Sequence, residues 1–403
     1  MTLLLMGIPS FANKPVKVKS LLKDVRMSLK HNRDQEKQEK VLLENFSRED
    51  LQAKEKADML FACAQLNQSI NDQENLKLYL KQKYDTVRFF SSILKINDYL
   101  LRCDSLEQTI SKKPKHRKHG QYMIAAYRSN LLNGGKWFLQ QGKPAEAYPY
   151  FSMYLRHPRE AMFANNPDFS SDTQLSKVSY WATLAGYNAN QPESVLRHID
   201  YAIASVDSTL RPSLMEYKAN SQRAMGKVSD MLGTLRSGVR FYPTHDYFYL
   251  HLMEHFLSTD SLEEGIQLSD SLAKHVGDRS IYAFGKSQMY FAAKRWDDCI
   301  LASNHAIQLD STFADAYYNK SVSYLNQAKA FNATIGDKIT SARLRRDRVR
   351  LSNLYQMART PMERFRELRP LEMGRWGKPL YDIYLNLNLE KEFSEIESLL
   401  NAK

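Results

Sequence analysis

The sequence predicts an all-α solenoid built from antiparallel helix pairs, and three observations predict it. The first is the stretch Ser280 to Ser311, which reads as two short amphipathic helices. Tyr282, Ala283, Phe284, Met289, Tyr290 and Phe291 mark one. Trp296, Ile300, Ala302, Ala306, Ile307 and Leu309 mark the other, and a polar bend at Lys294-Arg295 separates them. The second is a period: Met231, Gly265 and Cys299 follow one another at intervals of 34 residues (265 − 231 and 299 − 265). Self-similarity at such a period is the signature of stacked supersecondary units. The third is composition. Only 15 glycines and 13 prolines occur in 403 residues, which leaves long stretches free to be helical.

Hydrophobic residues at 43% and charged residues at 25% are ordinary for a protein with a packed core. The 23 tyrosines and 18 phenylalanines are expected to fill seams between helices. A net charge of +12 allows attraction to acidic partners, nucleic acid or anionic lipid. Cys63, Cys103 and Cys299 are spaced too widely for a metal knuckle or redox pair. Cys299 reads as a core thiol, and Cys63 with Cys103 as a bridge only if neighbouring helices bring them together.

Taken in order, residues 1–12 (MTLLLMGIPSFA) read as a signal peptide lacking its basic n-region, cleaved after Ala12. This predicts an exported, periplasmic chain, and the start codon could lie upstream. A cytoplasmic protein with an apolar first helix is the alternative. No later stretch holds about 20 apolar residues, so no transmembrane segment is expected. Residues 13–110 read as a degenerate region of helix pairs, with segments 51–66, 76–84, 87–101 and 106–110. Ser47-Arg48-Glu49-Asp50 reads as an N-cap signal, and 31–40 as a polar turn or helix end. Residues 111–120 (SKKPKHRKHG) read as a solvated basic linker.

Residues 121–370 carry the legible repeats, starting at Arg128, near Ser176, and at Pro212, Asp246 and Ser280. Residues 163–171 (FANNPDFSS) form a loop in the longer gap between the first two. Small residues at the eighth and twentieth positions, such as Gly135 and Ala147, are expected where the helices of one pair cross closely. Met231 departs from that rule and predicts a looser unit. After a good helix at 314–330 the partner is delayed. Ala358, Met362 and Phe365 resume the register 25 residues late (358 − 333), which defines an insertion at about 331–355. Its arginines, Arg343, Arg345, Arg346, Arg348 and Arg350, surround a Leu344/Val349 seam. Residues 371–403 read as capping helices, with Trp376, Leu380, Ile383, Tyr384, Leu387, Phe393, Ile396 and Leu399 facing inward.

These repeats resemble the tetratricopeptide repeat superfamily across roughly 125–370. The leader, the interrupted late unit and the closing WGKPLYDIYLNLNLEKEF segment are similar to exported bacterial tetratricopeptide proteins of undefined function. The resemblance implies a right-handed superhelical solenoid and a non-catalytic protein–protein interaction scaffold. It implies that a peptide or protein segment binds a concave groove lined by first-helix residues. On this sequence that register places Glu216, Tyr217, Asn220 and Arg223 in one unit and Tyr247, His251 and Glu254 in the next. Phe284, Gln288 and Phe291 follow, then Tyr318 and Asn319. Asn319 matches one position of the carboxylate clamp used by chaperone-binding relatives, but Phe284 and Gln288 stand where Lys and Asn would be needed. An aromatic groove for an apolar or amphipathic segment fits better.

No residues point to catalysis or a cofactor. His251, Glu254 and His255 (HLMEH) misplace the glutamate relative to a zinc-protease motif, and no third ligand is evident. No phosphate loop, nucleophile elbow or CxxC cluster occurs. The basic runs lack interleaved aromatics, so a protein or peptide partner is expected rather than nucleic acid. A cytosolic regulator binding a signalling peptide or nucleic acid is the competing reading. The partner's identity and the oligomeric state are not encoded in any motif.

Overall fold

The computed structural model describes residues 16–335 and 341–401, so the expected signal segment at 1–12 lies outside the described residues. Among the described residues all regular structure is helical. Two compact units divide the chain between Val228 and Ser229, inside the repeat that carries Met231 at its twentieth position.

In the first unit, α1 (Val18–His31), α2 (Gln35–Phe46), α3 (Ala53–Tyr79) and α4 (Thr86–Ile110) form two pairs. α5 (Arg117–Gln140) pairs with α6 (Pro144–Arg156). A compact segment follows: two 3-10 turns at His157–Arg159 and Ala161–Phe163, then the short α7 (Pro167–Ser170). α8 (Leu175–Asn188), α9 (Pro192–Ser205) and α10 (Arg211–Ala224) complete the unit.

Several expectations for this region are corrected. The segment 51–66 and the first four residues of 76–84 lie in or at the start of one helix of 27 residues, and 87–101 and 106–110 lie in one of 25. The first of these is capped by Gln52 and Glu55 in a reciprocal box, not by Ser47–Asp50. Its apolar end is solvated, with Leu76, Leu78 and Tyr79 exposed. Lys40 is helical, and the expected turn at 31–40 shrinks to the residues between His31 and Gln35. The expected loop at 163–171 is packed: Phe163 and Phe169 are buried and stack with centroids 3.9 Å apart. Asn166 caps α7 by accepting from the Asp168 amide.

The basic stretch 111–120 is not a free linker. His116 stacks on Phe61 at 4.0 Å, and Asp58 on α3 meets both Lys115 (2.7 Å) and His116 (2.9 Å). Arg117 forks onto the buried Asp104 of α4 at 2.7 and 2.9 Å. Arg117 to Gly120 are already the first turn of α5. Lys112, Lys113 and Lys118 keep the solvated character the sequence suggests, and Lys115 and His119 are exposed too while touching Asp58 and Phe61.

In the second unit, α11 (Val228–Phe241) precedes three pairs: α12 (Asp246–Ser258) with α13 (Leu262–Val276), α14 (Ser280–Ala292) with α15 (Trp296–Leu309), and α16 (Ala314–Asn332) with α17 (Ser341–Leu368). α18 (Met373–Asn386) and α19 (Glu390–Asn401) close it. Their buried residues include Trp376, Leu380, Ile383, Tyr384 and Ile396. Leu399 is exposed, and Leu400 packs in its place. Val349 is also exposed, so the Leu344/Val349 seam does not form; Arg350 instead lies 4.4 Å from the Phe331 ring.

The backbone carries the repeat register. Gly142, Asn190, Gly226, Asp260 and Lys294 all have positive φ, and each is the fifteenth residue of its unit. The last three are spaced by 34 (260 − 226 and 294 − 260). Each lies just past a first helix, where a left-handed residue lets the next amide reach back into the last turn. Lys143 N donates to Phe138 O, Gln191 to Gly186, Lys227 to Gln222, Ser261 to Phe256 and Arg295 to Tyr290, all at 2.9 Å. The chain is thereby turned sharply enough for the second helix to fold back.

The small-residue rule holds within pairs but has a second meaning. Ser287 Oγ lies 3.5 Å from Cys299 Sγ, joining the eighth and twentieth positions of one pair. Ser321 Oγ donates to the Ala358 carbonyl at 2.7 Å, the same relation across the delayed α17. Gly135 accommodates the Phe151 ring, whose Cε1 lies only 2.5 Å from where a Cβ would stand. Gly265, however, faces Met289 of the next pair; a Cβ there would stand 2.8 Å from its sulfur. Its small size sets the seam between pairs, because Met253 fills the eighth position inside its own pair and is itself buried.

The three thiols are free and buried. Cys103 donates to the Ala57 carbonyl at 3.3 Å, so it is spent within the helix packing rather than on Cys63. Burial pushes the Cys63 thiol up to about 12, with the carboxylate of Glu39 adding to the effect.

Candidate binding surfaces

The first-helix residues expected to line a groove separate into three groups. On α10, Tyr217 stacks on Tyr187 of α8 at 3.9 Å and Asn220 donates to the Tyr187 hydroxyl at 3.2 Å, while Arg223 is exposed. On α12, Tyr247 meets His251 edge-on at 4.3 Å, and His251 Nδ1 lies 2.8 Å from the exposed Glu254. This pairing shows what the HLMEH run does locally: it is a ring and a carboxylate one turn apart on one helix. On α14, Phe284, Gln288 and Phe291 share a face and are all half-buried. Phe284 also contacts Phe313 at 4.8 Å and Phe291 contacts Trp296 at 5.5 Å.

Of the last two expected residues, Asn319 is committed to the interior and Tyr318 is half-buried under a neighbouring side chain. Asn319 is buried and donates to Ser287 Oγ at 3.1 Å, tying α16 to α14. Its amide is part of a polar seam that also holds Ser303, 2.7 Å from Ser287. It is not presented as a carboxylate clamp would require. The Tyr318 ring lies 5.2 Å from Phe365 and is covered by the Arg375 guanidinium at 4.3 Å. Arg375 is held by Asp315 and Glu372, each at 2.8 Å, so this cover is itself anchored.

Two clefts lie where no sequence motif occurs. In the first unit, a cleft of about 590 Å³ opens between α2, α4, α6 and α9, the second helices of four pairs. Leu43, Leu94, Tyr148, Pro149 and Met153 supply its apolar wall, and Lys95, Arg102, Arg156 and Arg197 supply cations. In the second unit, a groove of about 600 Å³ runs between α11, α12 and α13. Val239, Leu252, Phe256, Leu268, Leu272 and Val276 line it, with Arg236 and Glu264 across its edge at 3.9 Å. Met253 of α12, standing where other first helices carry a small residue, belongs to the pair beside this groove, whereas Phe256, which lines it, keeps the aromatic of the eleventh position.

Among the described residues no cluster of three or more His, Cys, Asp or Glu side chains is placed to hold a metal ion, and no helix is long and apolar enough to cross a membrane. No family model and no curated protein matches the sequence. Solved structures overlap it at low identity. The C-terminal part of a TPR repeat-containing protein from Cytophaga hutchinsonii is 12% identical, with a TM-score of 0.42 over 66% of this chain and 92% of that one. A TPR repeats protein from Bacteroides fragilis is 15% identical, with a TM-score of 0.33 over 68% of this chain and 98% of that one. The chain's own geometry identifies its fold: helix pairs closed by a left-handed fifteenth residue, repeating every 34 residues from 226 to 294, make it a tetratricopeptide-like helical repeat protein.

Proposed function

We propose that this chain is a non-catalytic interaction scaffold that holds an extended peptide or protein segment along the first helices of its repeats. The observation that carries this reading is Gln288. It stands between Phe284 and Phe291 on one face of α14, half-buried, with its amide making no hydrogen bond among the described residues. A primary amide offers both a donor and an acceptor, which is what the backbone of an extended segment needs. The flanking rings supply apolar area at low conformational cost. Tyr247, His251 and Glu254 on α12 extend the same row of first helices. In the first unit Tyr217, Asn220 and Arg223 occupy the corresponding register. An exported, periplasmic location goes with this proposal, on the strength of the sequence at 1–12.

The test is site-specific photocrosslinking from position 288 in intact cells, with an exposed position on α15, Leu301, as control. A discrete polypeptide adduct from 288, absent from 301 and lost in Phe284→Asp, is expected. Equal adducts from both positions would defeat the reading. Location is read separately: a mature chain beginning at Asn13 in a periplasmic fraction is expected, and an intact amino terminus in the cytosol would refute export.

A further inference from the structure

We infer that the cleft between α2, α4, α6 and α9 is a second binding site, shaped for an acidic amphipathic segment of a partner polypeptide. It shares no residue with the first-helix row described above, and its case rests on charge imbalance and on polar groups left without partners.

The cations around this cleft outnumber the carboxylates. Lys95 reaches Glu39 at 3.0 Å, Arg102 reaches Asp98 at 3.2 Å, and Arg156 pairs with Glu160. Arg197, which lines the cleft, and Arg159, beside it on the turn after α6, have no carboxylate within reach among the described residues. Among the residues that line the cleft, four are cations, Lys95, Arg102, Arg156 and Arg197, and one, Asp98, is a carboxylate. Both unpaired guanidiniums act on the same buried ring, His198 of α9, whose basicity is depressed to about 4, first by burial and then by Arg197 and Arg159. The imidazole is neutral at physiological pH and adds no positive charge.

Two buried polar atoms at the same place also lack partners. The Tyr148 hydroxyl and His198 Nε2 make no hydrogen bond, although their rings lie only 5.9 Å apart. Buried polar groups are normally satisfied, and leaving one unmade is costly. Tyr148 is also a wall of the cleft. Excess cation charge beside unspent hydrogen-bonding capacity is the arrangement expected of a site awaiting an anion.

The wall decides the class of anion. A free phosphate would be held by cations and amides and would gain nothing from Leu43, Leu94 and Met153. The cleft's volume of about 590 Å³ is in the range of sites for larger ligands. A segment in which carboxylates alternate with apolar side chains meets both the wall and the cations. Arg197 and Arg159 supply planar forks suited to carboxylates.

The test uses the full chain and a fluorescein-labelled peptide in which Glu alternates with Leu, read by anisotropy. The same peptide with Gln for Glu is the uncharged control. Saturable binding of the acidic peptide is expected, at least tenfold tighter than of the Gln peptide and weakening as salt rises. The exposed double variant Arg159→Glu/Arg197→Glu should lose at least tenfold in affinity while its circular dichroism and melting profile stay those of the parent. Tyr148→Phe, which deletes only the unpartnered hydroxyl, should keep the apolar wall and weaken binding severalfold. Equal binding by the charge-reversed variant would overturn the site, as would no binding by the parent. Displacement of the peptide by millimolar inorganic phosphate or tripolyphosphate, or by single-stranded RNA of matched charge, would overturn the peptide assignment in favour of a phosphate-bearing ligand.

Discussion

In the first unit Glu39, Glu74, Asp104 and Glu107 are buried, and each is met by at least one donor from outside its own helix. Glu39 accepts from Asn67, Lys95 and Tyr99, and Glu74 from Lys77, Arg88 and the Asp85 amide. Asp104 takes the fork of Arg117, and Glu107 takes the His116 amide. In the second unit no carboxylate is buried among the described residues; its buried polar groups are Ser, Thr and Asn. Its seams are set by absent side chains, with Gly238 against Phe248, Gly265 against Met289 and Gly285 against Tyr249. A buried charge is tolerated only with well-placed partners, and those partners differ at every position. A steric seam asks only for a small residue at a fixed offset, so it can repeat. This difference explains why the period is visible in one unit and degenerate in much of the other.

The comparison is broken most directly at Gly285. A Cβ there would overlap the Tyr249 hydroxyl and stand 2.8 Å from its Cζ, and Tyr249 is fully buried with its hydroxyl 2.8 Å from Ser269 Oγ. Neither ring nor helix has room to give. Gly285→Val is expected to cost about 3 kcal/mol in urea unfolding. The same change in a Tyr249→Ala background should cost far less, and additive costs would show that the seam is not steric.

The corresponding break in the first unit is Glu74→Gln. Burial works to raise this carboxyl, but hydrogen bonds from Lys77, the Asp85 amide and Arg88 outweigh it and hold it down to about 2. A depressed carboxyl stabilises the fold above its unfolded value, and that contribution is lost as pH falls toward 2. Glu74→Gln should cost roughly 2 kcal/mol near neutrality. Its deficit against the parent should shrink steadily below about pH 4.5. A deficit independent of pH would mean that shape, not charge, holds this site. The Gly285 deficit should show no such dependence.

Arg128 tests the segment between α6 and α8, where the first unit departs furthest from a regular repeat. Its guanidinium lies 4.1 Å from the Tyr154 ring and 4.3 Å from that of Phe169, and pairs with Asp172 at 2.8 Å. Behind it His157 is buried with both ring nitrogens unpartnered, held down to about 3 by burial and then by Arg128 and Arg156. Arg128→Lys keeps the charge but loses the planar stack, at an expected cost of about 1 kcal/mol. Limited proteolysis should then cut within 157–171 faster than in the parent. Unchanged cleavage would show that Phe163 and Phe169 alone hold the segment.

What was legible in the sequence follows the same division. The pairs from Asp246 onward could be placed because Gly265, Cys299 and Ala358 obey a local spacing, even across the late start of α17. The left-handed turns were written at Gly142, Asn190, Gly226 and Asp260 in residue types that tolerate positive φ, although Lys294 shows that the position does not demand them. The docking of 111–120 was not legible, because His116 finds Phe61 and Asp58 across more than half a hundred residues and no periodicity links them. Of the expected groove, Gln288, its flanking rings and Tyr318 are half-exposed, but Asn319 is buried on Ser287 and the Tyr318 ring is covered by Arg375. Register says which helix face a residue occupies. It does not say whether a neighbouring serine or arginine has already claimed that face.

The smallest expected effect has the opposite sign and sharpens the steric half of the comparison. Gly233 lies in the middle of α11, is exposed, and has nothing within 4 Å of where a Cβ would stand. It therefore sets no seam and only loosens the helix. Gly233→Ala should stabilise the chain by about 0.5–1 kcal/mol, through the lower backbone entropy of alanine in the unfolded state and its higher helix propensity. Gly238→Ala, five residues on in the same helix, would gain the same propensity. Its Cβ would stand within 2.7 Å of Cδ2 of the buried Phe248, so the sign should reverse. Opposite shifts in melting temperature for two Gly→Ala changes in one helix would isolate packing from propensity. If both stabilise, Phe248 can move aside, and the small residues of the second unit reflect something other than the closeness of its helices.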